Sequence, residues 1–336
     1  MLTGAFATHP LPKKDQFAAW RDWYGSVYET EPGDPDAQGF EAASANWTLG
    51  GFTVSQDHSQ AHAVARSKSF IRRNAVDHWA VTVSKNADRE ITVRDERFRV
   101  RAGVPFILSL GEEMHINQPQ ADSRLRLLLS RDAFGDLAQL LDAVAGRPLD
   151  TPQGTFLVEF LLLLKDNLSS LTLEDASQLR NAIKATLEFC LAPSADRSER
   201  TDRPANATIM ARVRRAVTEH LCSPALGIEK LCREAAISRS QLYRVLELEG
   251  GVARYIQRSR LSKSLSILCD SSNVIPINRI AEMFCFADSS TFSRLFRREF
   301  GVSPKEVRAL SLSGLTFVPL PAKHDVHSFR DCLRFF

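Results

Sequence analysis

The sequence predicts an α+β chain of two domains, an N-terminal antiparallel β-barrel or sandwich with flanking helices and a C-terminal domain built only of helices. Three observations carry this reading. Apolar residues alternate with period two from about Asn46 to Ser130, helical spacing holds on both sides of that stretch, and residues 193–204, PSADRSERTDRP, offer no aliphatic side chain beyond alanine. A chain of 336 residues that is 44% hydrophobic and 25% charged has apolar surface for two cores and too little charge excess for a disordered polymer.

The elements follow in chain order. Phe17, Trp20, Tyr24 and Val27 keep helical spacing, so residues 15–28 should form an amphipathic helix whose apolar stripe is core. Short strands occupy about 42–130, with Trp79, Val81 and Val83 alternating in HWAVTVS, Ile91 and Val93 in EITVRD, and Leu125, Leu127 and Leu129 in RLRLLLS. Turn residues punctuate them at Gly50-Gly51, Asn86-Ala87-Asp88 and Arg101-Ala102-Gly103, a spacing that favours a small barrel whose mouth has room for a ligand. Residues 131–192 return to helical spacing in AFGDLAQLLDAVAG, in TFLVEFLLLLKDNL and in the stripe Leu179, Ile183, Leu187. The second helix is apolar nearly all round, so Phe156 to Leu164 needs cover from the barrel and from either a second subunit or its own chain. These limits give domains at 1–192 and 206–310, a linker at 193–205 and a tail at 311–336.

Charge separates the two domains. Residues 206–310 hold 17 Lys and Arg against 10 Asp and Glu, whereas the rest of the chain holds 26 against 30. A compact basic domain beside a mildly acidic one suits a polyanion binder joined to a sensing or assembly module, although a solvated basic face has the same composition. The six cysteines include no Cys-x-x-Cys pair and fall mostly in apolar helical patterns, as buried thiols of a reducing cytoplasm do. MLTGAFATHPLPKKD lacks a charged start followed by an apolar run, and FLVEFLLLL is under half a bilayer span, so neither secretion nor membrane insertion is expected.

The basic domain contains an internal repeat, LCREAAISRSQLYRVL from Leu231 and IAEMFCFADSSTFSRLF from Ile280. In each copy an apolar helix position is followed six residues later by an apolar turn residue, Ile237 or Phe286, and then by a capping residue, Ser238 or Asp288. Their side-chain oxygens can accept the free amides of a helix start, and Leu242 with Leu246, and Phe292 with Phe296, then point inward. Helix, tight turn and capped helix make a helix-turn-helix unit, which offers the start of its second helix to a major groove. Ser240, Tyr243 and Arg244 in the first unit and Ser290, Thr291 and Arg294 in the second lie opposite the buried positions and are the candidate base readers, Arg244 and Arg294 foremost because a guanidinium can bond a guanine bidentately. Arg239, Arg260, Lys263, Arg297, Arg298 and Lys305 are candidate phosphate contacts. Tyr255, Ile256, Leu261, Leu265 and Leu268 mark one long helix that joins the two units.

The segment from about Ile209 to Leu310 closely resembles the AraC/XylS family of bacterial transcription regulators. The family's second unit reads Ile-Ala, six residues, Asp-x-Ser-x-Phe-Ser-Arg-x-Phe-Lys/Arg, then Phe-Gly-x-Ser-Pro, and IAEMFCFADSSTFSRLFRREFGVSP follows it. Cys232 stands where a small Ala is usual, and Ala236 and Cys285 stand at turn positions where Gly is usual, so strain is expected there if φ is positive. FAAWRDWY, Arg66, RAGVPFILSLGEE and LRLLLSRDAF resemble, more loosely, the AraC-binding-like sensor domain of one subgroup, with Ala102-Gly103-Val104 in place of Pro-Gly-Asp and Ser130 in place of Pro. The resemblance implies a cupin-like effector-binding and dimerising barrel that controls a DNA-binding domain. It further implies a cytoplasmic homodimer that activates a catabolic operon, with promoter DNA, RNA polymerase and a small-molecule effector as partners.

Two rival readings remain open. A DNA-binding regulator governed by a protein partner or by its own abundance would show the same motifs. A cupin-type metal enzyme would need clustered histidines, but the close pair His58 and His62 has helical spacing and no His-x-His with a following Glu completes a site, so no metal, no cofactor and no enzyme activity are expected. Trp47, Phe52, Trp79, Phe98 and Phe106 are candidate walls for an apolar effector, with core packing as their simpler role, and no ligand-binding residue is assigned. The tail, with LTFVPLP and SFRDCLRFF, is apolar enough to strap across either domain or to meet polymerase or a second subunit.

Overall fold

The computed structural model describes residues 4–74, 76–171, 175–192, 209–269, 275–313 and 326–333. The linker 193–205, LTFVPLP of the tail and the last three residues lie outside them. Two compact units emerge, one from the N-terminal residues together with the described tail and one from the basic domain.

The first unit is a double sheet. Its strands are β1 (Gly4–Ala7), β2 (Glu29–Pro32), β3 (Ala42–Leu49), β4 (Phe52–Ser59), β5 (His62–Arg66), β6 (Trp79–Ser84), β7 (Arg89–Val93), β8 (Glu96–Val100), β9 (Phe106–Ser109), β10 (Met114–Gln118), β11 (Asp122–Leu129) and β12 (Arg147–Pro148). One antiparallel sheet runs β1-β3-β4-β11-β6-β9-β12 and the other β2-β5-β10-β7-β8. Helix α1 (Lys13–Tyr24) ends earlier than the stripe suggested, with Val27 and Tyr28 buried just beyond it. The short helix α2 (Lys68–Arg73) follows β5 and is capped by the Ser67 hydroxyl. His58 and His62 fall on two strands rather than on one helix, the first exposed and the second buried.

The predicted alternation is present, and both of its phases are buried. Leu125, Leu127 and Leu129 pair with Val83, Val81 and Trp79 on one side and with Gln56, Val54 and Phe52 on the other, so they share the outer face of the large sheet. Three helices serve that face: α3 (Ala138–Val144), which packs on β9, α4 (Pro152–Asn167), which packs on β11, and α5 (Ala176–Leu191), which packs on α3 and α4. Leu157, Leu161, Leu164, Ile183 and Leu187 supply the buried side of α4 and α5. At Gly154 only hydrogen fits, because a Cβ would stand 1.8 Å from the Leu149 carbonyl oxygen. The opposite side of α4 leaves Phe156, Leu162 and Leu163 exposed, and Phe156 meets exposed Phe189 of α5 edge to face at 5.4 Å.

The other phase points into the barrel, where Leu128 joins the apolar core and Arg124 and Arg126 are polar. Arg124 lies opposite Asp57 and Ser84, and Arg126 opposite Ser55 and Thr82. Arg124 and Arg126 both ion-pair with Asp57, Tyr24 donates to the same carboxylate at 2.8 Å, and Arg89 bonds Asp122 and Gln118 at 2.6 and 2.7 Å. Burial alone would raise the Asp57 carboxyl, but the two guanidinium groups more than offset it and hold it below its usual range. Tyr24, Arg89, Arg124 and Arg126 help to line a cavity of about 30 Å³, room for about one water. Of the five aromatic residues proposed as pocket walls, only Phe106 lines it. Phe52 and Trp79 belong to the outer face, where the Trp79 indole donates to Asp142 at 2.6 Å and lies under Arg131.

The described tail belongs to this unit. Phe329, Cys332 and Leu333 are buried in the same core cluster as Trp20, Tyr24 and Leu128. The segment therefore straps the barrel, as one of the two placements read from the sequence has it.

His62, edge-on to Trp20 and Phe40, gives a measurable pH signature. Burial and then the Arg124 charge push its pKa from 6.5 down to about 3. The unfolded chain takes up a proton between these values that the folded chain refuses. The His62 contribution is thus complete above pH 6.5 and lost as pH falls toward 3, at up to about 1.4 kcal/mol per pH unit. All four tryptophans lie in this unit, so their fluorescence reports its unfolding alone. Urea midpoints should fall steadily from pH 6.5 to 4, and His62→Gln should flatten that slope.

Candidate nucleic-acid interface

The second unit consists of α6 (Ile209–Glu219), α7 (Ile228–Glu234), α8 (Arg239–Leu246), α9 (Val252–Cys269), α10 (Ile277–Met283), α11 (Ser289–Phe300) and α12 (Pro304–Leu312). α7 with α8 and α10 with α11 are the two helix-turn-helix units, and α9 is the long helix between them.

Both second helices start where their caps dictate. Ser238 Oγ accepts the Gln241 amide at 3.2 Å while the Gln241 side chain accepts the Ser238 amide at 2.9 Å, a reciprocal capping box. Asp288 accepts the Thr291 amide at 2.7 Å and the Thr291 hydroxyl at 2.8 Å, and these bonds hold its carboxyl below the usual range. Leu242 and Leu246 are fully buried under α8, and Phe286, Phe292, Phe296 and Phe300 form a continuous aromatic ladder under α11. With one face of each helix fixed inward, Ser240, Tyr243 and Arg244 of α8 and Ser290 and Arg294 of α11 are exposed on the other, as are Arg297 and Arg298.

Two of the sequence candidates have partners within the unit. Thr291 is half-buried and gives its hydroxyl to Asp288, so it completes the cap. Arg260 donates to the Leu221 and Ser223 carbonyls at 3.1 and 2.8 Å, tying α9 to the loop after α6. Arg239, Lys263 and Lys305 are exposed, Arg239 pairing with Glu229 at 2.9 Å, a solvated bond that phosphate can replace. Arg258 has a role that the local sequence does not mark. From α9 it reaches Glu249 beside the first unit at 3.6 Å and Glu299 of α11 at 3.3 Å, so one side chain braces both helix-turn-helix units. Its position in a basic helix was visible, but partners so far apart in the chain were not.

Ala236 and Cys285, at the turns, have φ of 50° and 58°. Each carries the strain of a Cβ in left-handed backbone, partly offset at Cys285 by a thiol bond to the Cys222 carbonyl at 3.3 Å.

Two capped second helices exposed on one side and braced by a shared third define a tandem helix-turn-helix protein. A model described as a helix-turn-helix domain matches residues 231–309. The HTH-type transcriptional activator RhaS of Escherichia fergusonii is 41% identical over 86 residues, 25% of this chain and 30% of that one. RhaS of Salmonella arizonae is 38% identical over 87 residues, 24% of this chain and 31% of that one. The chain thus spans under a third of the length of these curated relatives. The crystal structure of the AraC-like transcriptional activator CuxR matches with a TM-score of 0.68 and 27% identity, covering 78% of this chain and 94% of that one. Residues 231–309 are thus a helix-turn-helix domain, and the chain is similar to an AraC-like transcriptional activator over 78% of its length.

Among the described residues, no helix is long and apolar enough to cross a membrane, and no group of three or more His, Cys, Asp or Glu is placed to hold a metal ion.

Relief of the turn strain is measurable in the full chain. Ala236→Gly should stabilise the second unit by about 1 kcal/mol, and Cys285→Gly by less because the thiol bond goes with it. Hydrogen exchange of the α8 and α11 amides should slow accordingly, and faster exchange in Ala236→Gly would mean that the turn is unstrained.

Proposed function

We propose that the protein is an effector-responsive transcription activator that reads two successive major-groove segments of a promoter. The observation that carries this reading is the pair of capped helices α8 and α11, each exposing an arginine opposite its buried face and both braced from α9 by Arg258. Ser240, Tyr243, Arg244, Ser290 and Arg294 meet base edges, and Arg239, Lys263, Arg297, Arg298 and Lys305 meet phosphates. RhaS and CuxR, both named as activators, support the sign of control. Activation brings RNA polymerase in as a partner.

The effector acts through the barrel. In its interior three guanidinium groups, of Arg89, Arg124 and Arg126, share two carboxylates, Asp57 and Asp122, while burial keeps His62 neutral. This balance favours an anionic effector. The chain works as a homodimer through exposed Phe156, Leu162, Leu163 and Phe189, a patch that only a second copy has reason to match in a self-complementary way.

Arg294→Ala should weaken binding to specific DNA by about 1–3 kcal/mol and relax preference at one base pair, because a bidentate contact to guanine is lost. Arg298→Ala should weaken specific and scrambled DNA alike and lower the salt slope by about one ion. Equal losses of Arg294→Ala on both duplexes would reduce Arg294 to a backbone contact. For assembly, Leu163→Glu with Phe189→Glu should give a folded monomer in sedimentation, whereas fully buried Leu161 is part of the core and tests folding instead. A persistent dimer would assign the interface elsewhere.

A further inference from the structure

The chain enters the first unit twice. After α12 it returns as Val326–Leu333, so the DNA-reading unit is joined to the barrel unit at both of its ends. The place where the returning segment sits is built for it. The Thr48 and Thr53 hydroxyls, both buried, donate to the Cys332 carbonyl at 2.6 and 2.8 Å. Gly4 of β1 leaves room where a Cβ would stand 2.8 Å from Val326 and 3.0 Å from the Cys332 sulfur. The Asp331 carboxylate accepts the His327 and Ser328 amides and the Ser328 hydroxyl, which folds the segment into a compact turn.

Phe329 makes the connection to the interior. Its ring is fully buried, with its centroid 4.6 Å from the Tyr24 ring and 4.7 Å from the Arg126 guanidinium. Tyr24 and Arg126 are the groups that bond Asp57, so Phe329 forms one wall of the polar cluster. Every strand wall is held by ladders of backbone hydrogen bonds to its neighbours. Among the described residues this segment adds no strand to either sheet; the Cys332 carbonyl, the buried Arg330 and its apolar side chains seat it. It is the wall that moves at least cost.

We propose that Val326–Leu333 is an autoinhibitory latch: seated, it restrains the DNA-reading unit from its C-terminal end, and unseated, it uncovers Tyr24 and Arg126 and leaves that unit held by the interdomain linker alone. A unit tethered at both ends samples fewer orientations than one tethered at a single end, so release widens the set of DNA sites it can engage. The inference rests on the proposed function only in requiring that the second unit bind DNA.

Cys332 is the reporter, because its thiol is buried with the latch and burial pushes its pKa up to about 12, while Cys222 is exposed. Maleimide labelling of the full chain, read peptide by peptide in a mass spectrometer, should modify Cys332 at least tenfold more slowly than Cys222. Phe329→Ala, and independently Gly4→Val from the other side of the seat, should each speed Cys332 labelling tenfold or more without loss of circular dichroism. Both variants should bind a duplex selected from a random library by the unaltered protein at least threefold more tightly. Rapid labelling of Cys332 in the unaltered protein would show that the segment is not seated. Unseated variants that bind the duplex equally or more weakly would overturn the restraint. Failure to select any duplex would instead overturn the DNA-binding reading, and the latch with it.

Discussion

The Asp57 carboxylate is the group on which the first unit is organised. It is 1% exposed, accepts the charges of Arg124 and Arg126 from the neighbouring strand, and takes the Tyr24 hydroxyl from α1. Arg126 in turn carries Phe329 of the returning segment on its face. Removing the carboxylate would strand two guanidinium groups away from water, a loss of the order of 3–5 kcal/mol. Apolar replacement of the whole cluster need not weaken the fold. What the charges add is specification: a slip of one residue in β11 would turn both arginines toward the helices and Leu125 and Leu127 into the polar interior.

That cluster was only half legible. Alternation located the strands, and the Leu, Val and Trp phase is indeed packed, but between sheet and helices. Period two says that two faces differ, without saying which is enclosed when both are. The clue lay in the residues between the leucines, since Arg124 and Arg126 within RLRLLLS and Asp57 within SQDHS have no reason to recur on a strand that shows one face to water. Thr48 and Cys332, joined by a hydrogen bond across 284 positions, left no local signal at all.

The second unit read more fully because its determinants are local. Ser238 with Gln241, Asp288 with Thr291, and the apolar positions four apart all lie within one or two helical turns, where capping and side-chain direction act. The partners of two candidates differ in how far the sequence showed them: Thr291 bonds Asp288 three residues away, whereas the carbonyl partners of Arg260 are brought close only by the fold. The positive φ at Ala236 and Cys285 was anticipated from the shape of the turn, because a backbone that passes through left-handed space does so whatever residue is installed.

The brace from Arg258 of α9 to Glu249 and Glu299 makes the joining helix a ruler. An α-helix turns 100° for each residue, whereas the duplex turns roughly 35° for each base pair, so the two scales do not share small steps. One residue inserted in α9 would swing a reading head off its groove, and no change of one or two base pairs in the target would bring it back. On the proposed reading, such a molecule can change the letters it prefers through the side chains of α8 and α11, while the interval between the words it reads stays fixed.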